Sequence, residues 1–274
     1  MKLKLIILIA FSGSMLVFSS CRPKNYELGI LLDKSTLKYT IVPSSANPNN
    51  IVLTSLTPNF TPVWFTPVGQ SQKAVDTVNL PFPGTYKFVY GVESDGGFVQ
   101  ADTAIVIINT LDQNAVSTPM WTYLTGGFGH SKTWVLDLDA NEKSKFFGGP
   151  IFFAGTGWEW DAGWSGNSWI CPAADYGTMT FDLIGNANFR SNNKAIPSLG
   201  SATGSFMMYP ATNQLQTFGA EVIHDGSQGP NVANWYAKMT INSLTDSTMQ
   251  LIATESASSW LIYNYISQDY YNTH

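Results

Sequence analysis

Charge is scarce in this chain. Lys, Arg, Asp and Glu together make up 12% of its 274 residues, and 19 acids outnumber 14 bases for a net charge of −5. A polyanion would find little to hold here, so nucleic acid is excluded as a partner. Cysteine is scarcer still, with only Cys21 and Cys171, which leaves no disulfide framework of the kind that staples small secreted domains. The three histidines, His130, His224 and His274, show no H-x-x-x-H or H-x-H spacing, so no zinc site is written in the sequence. His130 and His224 lie in loop-like surroundings and are read as solvated side chains with the capacity to bond a hydroxyl. No ten-residue stretch repeats with a helical period and no G-x-S-x-G occurs, which removes a serine nucleophile on a strand-to-helix turn. The glycines of T-G-G-F-G (125–129) lack the Lys-Ser/Thr that a phosphate cradle needs.

What the chain has instead is 44% apolar residues among abundant Gly, Pro, Ser, Thr and Asn, the composition of a turn-rich all-β protein working outside the cytoplasm. Met1 to Lys4 is basic, Leu5 to Phe18 is mostly apolar but short for a spanning helix, and Ser19-Ser20-Cys21 follows as a small-residue cleavage site. This start resembles a bacterial lipoprotein signal peptide. The resemblance implies cleavage after residue 20, lipid on Cys21 and a tether over 21–29. Removing Lys2 and Lys4 would leave 12 bases against 19 acids, a net charge of −7. Cys171 is then without a partner and reads as a small buried hydrophobe beside Pro172.

From Leu28 the pattern is β. LKYTIV (37–42), NIVLTSL (50–56) and PVWFTPV (62–68) are broken by Pro, Asn and Ser. Pro83-Gly84 then opens a strand with Tyr86, Phe88 and Tyr90 on one face, a Gly96-Gly97 turn follows, and AIVIIN closes the run. The motif P-G-T-Y-K-F-V-Y-G-V with its glycine turn and closing strand resembles the PKD-like, immunoglobulin-type sandwich of bacterial surface proteins, which implies a spacer domain over 30–112. Residues 111–119 are polar, with a proline stop, and read as a junction. Beyond it, GTMTFDLI (177–184), GSFMMYP (204–210), AKMTINSLT (237–245), STMQLIATE (247–255) and WLIYNYIS (260–267) are short strands between turns. They predict a larger jelly-roll-like β-sandwich over 117–272.

Four of the nine tryptophans fall within twelve residues of G-T-G-W-E-W-D-A-G-W-S-G-N-S-W-I-C-P (155–172), among glycines, serines and single acids. That setting marks loop backbone able to expose flat rings, and a flat ring beside acids and amides suits the C–H faces and rim hydroxyls of a sugar. Trp158, Trp160, Trp164 and Trp169 are the candidate stacking residues, with Glu159, Asp161 and Asn167 to bond hydroxyls. L-T-G-G-x-x-x-S-K-T-W-x-L-D (124–137), G-P-x-x-F-x-G-T-G-x-E-W-D (149–161) and the closing S-W-L-I-Y-N-Y-I-S resemble the C-terminal domain of PKD-containing surface lipoproteins of bacterial polysaccharide-utilisation systems. The resemblance implies a carbohydrate-binding protein of the cell outer membrane, lipid-anchored and facing the exterior, working beside a glycan transporter. It implies no cleavage.

Two rivals stand beside that reading. A laminarinase-type hydrolase carries E-x-D-x-x-E, and here Glu159 and Asp161 match but Trp164 occupies the acid/base position, so a carboxylate pair would need Glu221 or Asp225. The other rival is a protein–protein assembly component whose aromatics form an interface. No cofactor is expected. Asp137, Asp139 and Asn141 alternate like calcium ligands, but Lys143 and Lys145 lie close by and the loop glycine is missing, so a charged turn competes with a structural calcium.

Overall fold

A computed structural model describes residues 29–161, 163–232 and 235–274. The signal peptide, Cys21 and nearly all of the tether lie outside the described residues. Among the described residues the protein is all-β, with two short α-helices. It divides into two compact units. One comprises the described residues through Val42 with Val52–Asp76 and Lys87–Ile105; the other comprises Pro43–Ile51, Thr77–Tyr86 and Val106–His274.

The first strands are β1 (Tyr39–Pro43), β2 (Asn50–Ser55), β3 (Thr61–Thr66), β4 (Gly69–Ser71), β5 (Val75–Asn79), β6 (Gly84–Ser94), β7 (Gly97–Gln100) and β8 (Ala104–Ile108). They form two sheets, β1-β2-β5 and β4-β3-β6-β7, with β8 also paired to β6. Alternation decides which residues pack. Phe88, Tyr90 and Val92 of β6 are buried, and Trp64 of β3 packs tilted against Tyr90 at 4.5 Å, which in turn meets Tyr39 at 4.7 Å. Trp64 is fully buried and donates its indole N–H to the Lys73 carbonyl, so it is a core residue.

Next comes helix α1 (Pro119–Thr125), which starts on the last residue of the stretch read as a junction and runs into the segment read as the opening of the second domain. Pro119 occupies its first turn, where a missing N–H costs nothing, and Gly126 in the left-handed conformation ends it. The proline starts a helix rather than stopping a strand.

The remaining strands are β9 (Ser131–Leu136), β10 (Ile151–Gly155), β11 (Trp158–Trp160), β12 (Gly177–Asp182), β13 (Asn188–Asn193), β14 (Gly200–Tyr209), β15 (Gln214–Phe218), β16 (Met239–Leu244), β17 (Thr248–Thr254) and β18 (Ser259–Ser267), followed by helix α2 (Gln268–Thr273). From β12 to β18 each strand pairs antiparallel with its successor, β9 pairs with β12, and β18 returns to β9 through Leu136↔Tyr265, Val135↔Ile266 and Trp134↔Ser267. The expected jelly roll is therefore replaced by one ladder of eight strands closed on itself in meander order. Closure removes the free edges that a two-sheet sandwich would keep. Eight strands leave an interior that side chains can fill. Trp134, Phe181, Phe189, Phe206, Tyr263 and Tyr265 fill it, all essentially without solvent exposure.

Hairpin β10–β11 is an excursion from this ring. β10 pairs with the first half of β18, from Ile151↔Tyr263 to Gly155↔Ser259, along the edge whose second half takes β9. This leaves β11 as the outer strand of the extended sheet.

Candidate ligand-binding surface

The hairpin register is Phe153↔Trp160, Ala154↔Glu159 and Gly155↔Trp158. Because strand side chains alternate, Phe153, Trp158 and Trp160 share one face while Ala154 and Glu159 take the other. Gly155 is needed at its position: a Cβ there would stand 2.2 Å from the Trp158 indole nitrogen, so this ring lies against bare backbone. The loop after β11 brings Trp169 back over the same face. Its ring lies 5.7 Å from Trp160 at 25° and 6.4 Å from Phe153 at 13°, and Phe153 lies 5.7 Å from Trp160 at 33°. Trp169 is close to parallel with both other rings, Phe153 and Trp160 are tilted to each other, and the three centroids make a triangle rather than a linear stack. Trp158, Trp160 and Trp169 are 46%, 39% and 65% exposed.

Trp164 departs from the expectation. It is buried, its backbone N–H donates to the Gly148 carbonyl at 2.7 Å and its indole N–H to the Cys171 carbonyl at 2.9 Å. It anchors the loop and offers no stacking face. Asn167 is likewise occupied within the loop: its side-chain amide donates to the Gly163 carbonyl and its side-chain oxygen accepts from the Trp169 indole. That contact positions Trp169. Glu159 is exposed but on the face opposite the rings, and Asp161 is exposed just after β11. Phe153 was missed in the sequence, where it looked like one more apolar residue of I-F-F-A-G; the G-T-G turn that pairs it with Trp160 was the available signal.

The carboxylates offered for hydrolysis are placed differently. Asp225 is fully buried and accepts from the N–H groups of Ser227, Gln228 and Gly229 and from the Tyr263 hydroxyl. With four donors and no solvent it has a structural role. His224 is also buried, against the expectation of a solvated loop histidine: its ring stacks on Trp235 at 4.1 Å, with Nε2 3.3 Å from Glu221. His130 is exposed. Cys171 is 1% exposed, and burial, with the Asp225 charge adding to it, pushes its thiol up to about 11 against a smaller opposing hydrogen bond from Tyr176.

The acids of the would-be calcium loop serve the turn. Buried Asp137 accepts from the Ser144 hydroxyl and from the N–H groups of Lys145, Phe146 and Phe147. Asp139 accepts from the N–H groups of Asn141 and Lys143 and from the Tyr271 hydroxyl. Among the described residues no group of three or more His, Cys, Asp or Glu could hold a metal ion.

No protein-family model matches the chain, and no curated protein matches it. Fold and surface define an all-β protein that presents an aromatic patch on the outermost hairpin of its largest described sheet and the loop that follows it.

Proposed function

We propose that this protein captures polysaccharide or oligosaccharide on the aromatic surface of Phe153, Trp158, Trp160 and Trp169 and does not cleave it. The observation that carries the reading is the triangle of rings in which Trp160 and Trp169 are exposed and stacked at 25° beside half-buried Phe153. Flat apolar rings of this kind match the C–H faces of pyranoses, and an exposed aromatic patch of this breadth marks an interaction site. Asp225, saturated and buried, is withdrawn from the carboxylates a hydrolase would draw on, which favours binding over cleavage. The finer parts of the proposal come from the sequence: lipid on Cys21, an outer-membrane address facing the exterior, a PKD-like sandwich over 30–112, and a role beside a glycan transporter. No described helix is long and apolar enough to cross a membrane, so an anchor of that kind is not found among the described residues. Lipid anchoring would crowd many weak sites on one surface and raise their effective affinity.

The test is affinity gel electrophoresis against a panel of plant, fungal and host polysaccharides. The reading expects retardation by at least one glycan, relieved by Trp160→Ala and by Trp169→Ala with melting temperature unchanged. Absence of retardation by every glycan overturns it in favour of a protein interface. Release of sugar products, lost on Glu159→Gln or Asp161→Asn, overturns it in favour of a hydrolase.

A further inference from the structure

A second concave site lies where the barrel wall parts. β9 and β12 pair from Ser131↔Asp182 to Trp134↔Met179, and there the ladder between them ends. Val135 and Leu136 pair instead with β18 on the other side, leaving a gap between the end of β9 and the start of β12. Helix α2 and two loops wall this gap into a half-open cavity of about 330 Å³. Its polar lining includes Asp139, Asn141, Asp175, Lys194, Gln268 and Tyr271, beside the half-buried apolar side chains of Val135 and Ala174.

The charges in this cavity are already matched. Lys194 Nζ stands 2.6 Å from Asp175, whose other oxygen accepts from the Gly177 N–H. Asp139 is held by two backbone N–H groups and by the Tyr271 hydroxyl at 3.0 Å, and the Lys145 ammonium sits 4.3 Å from the Tyr271 ring centroid. Lys194, followed by the Gly177 N–H, keeps Asp175 below the usual carboxylate range despite partial burial. Burial opposes the charge on Asp139, but the Lys143 and Asn141 N–H groups and Tyr271 outweigh it and keep that carboxyl low as well. Both acids are therefore held in their charged form by partners already in the cavity. An incoming anion would meet two carboxylates, and an incoming cation would have to displace Lys194. A neutral ligand bearing donors and acceptors around a compact ring meets neither obstacle. The volume is at the low end of the roughly 300–1,000 Å³ typical of small-molecule sites, enough for a ring-sized ligand rather than a polymer segment.

We propose that this cavity binds one neutral pyranose, as a free sugar or as the end of a chain. Asp175, Lys194 and Asn141 bond its hydroxyls, and the Val135 and Ala174 side chains meet its C–H face. The site is separate from the aromatic surface: the hairpin pairs with the first half of β18, whereas the cavity is walled by α2 beyond the strand's other end. It therefore stands whether or not the aromatic surface binds glycan.

Isothermal titration of the protein with glucose, galactose, mannose and N-acetylglucosamine, each alone, tests it. At least one sugar is expected to bind, with Lys194→Met and Asn141→Ala each raising Kd about tenfold, the loss of one hydrogen bond to a charged or well-placed group. Both side chains are exposed, so both variants keep the fold. Trp160→Ala is expected to leave this binding unchanged. Failure of all four sugars to bind overturns the proposal. So does binding indifferent to both cavity variants, binding abolished by Trp160→Ala, or preferential binding of inorganic phosphate in place of a sugar.

Discussion

Cys171 and Trp164 lie seven residues apart and show how one residue's surroundings decide what it does. The Cys171 thiol, buried and pushed up to about 11, is ionised to only roughly 0.1% at pH 8, and thiolate is the reactive form. Iodoacetamide at pH 8 is therefore expected to leave Cys171 unmodified in the folded protein and to label it fully in guanidinium chloride, read by peptide mass mapping. Labelling of native protein would contradict the burial. Trp164, whose indole bonds the Cys171 carbonyl, is a fold residue: Trp164→Ala is expected to cost about 3–5 kcal/mol of stability, whereas Trp169→Ala, at 65% exposure, costs little. Urea denaturation of the two variants separates them. In the sequence the four tryptophans look alike, each beside Gly, Ser or an acid. What distinguishes them is the backbone each one meets in space, the Gly155 surface under Trp158 and the Gly148 and Cys171 carbonyls around Trp164, and that depends on how the chain folds back.

At the scale of the element, β12 begins on a residue that admits no side chain. Gly177 has φ +90°, and a Cβ there would stand 1.8 Å from the Asn192 carbonyl oxygen of β13. Gly177→Ala combines left-handed strain with a clash against the paired strand and is expected to cost roughly 2–4 kcal/mol by chemical denaturation. A neutral result would mean the β12–β13 start is looser than its register. Strand 177–182 was legible because apolar residues alternate with polar ones, Met179 and Phe181 inward and Thr178 and Thr180 outward, and 259–267 because it is a short apolar run between turn residues. β13, NFRSNN, was not, because its inward positions are Phe189, Ser191 and Asn193, and two of these three buried residues are polar. α1 was overlooked although Thr118-Pro119 and Gly126 mark its ends, because seven residues are too few to show a helical period. The jelly roll and the closed meander share nearly the same strand list. The choice between them is made by the pairing of β9 with β18, more than a hundred residues apart, which no local pattern encodes.

For the whole molecule, the carboxylates that tie distant segments set its response to acid. Asp112 accepts from the side-chain amides of Asn47 and Asn79, 65 and 33 positions away, and from the Asn114 N–H two positions on. Burial disfavours its charge, but the two asparagines and the Ala115 and Asn114 N–H groups prevail and lower its pKa from 3.8. Asp139 and Asp175 are lowered too. A carboxyl whose folded pKa lies below its unfolded value contributes stability that is fully present above the unfolded value, about 3.9, and lost as pH falls through the folded one. Between pH 7 and 5 these three groups are charged in both states and add no slope. Below about pH 4 the unfolded chain takes up protons first, so the melting temperature is expected to fall steeply. Asp112→Asn should lower stability at pH 7, because the Asn47 and Asn79 amides lose their charged acceptor, and should flatten the acid fall by removing one of the three coupled protonations. Circular dichroism melts of both proteins from pH 7 to pH 2.5 read this as a gap that is widest at neutral pH and narrows in acid. A gap that stays constant with pH would mean that Asp112 keeps its ordinary affinity for protons in the folded protein, and that its asparagine partners act by packing rather than by charge.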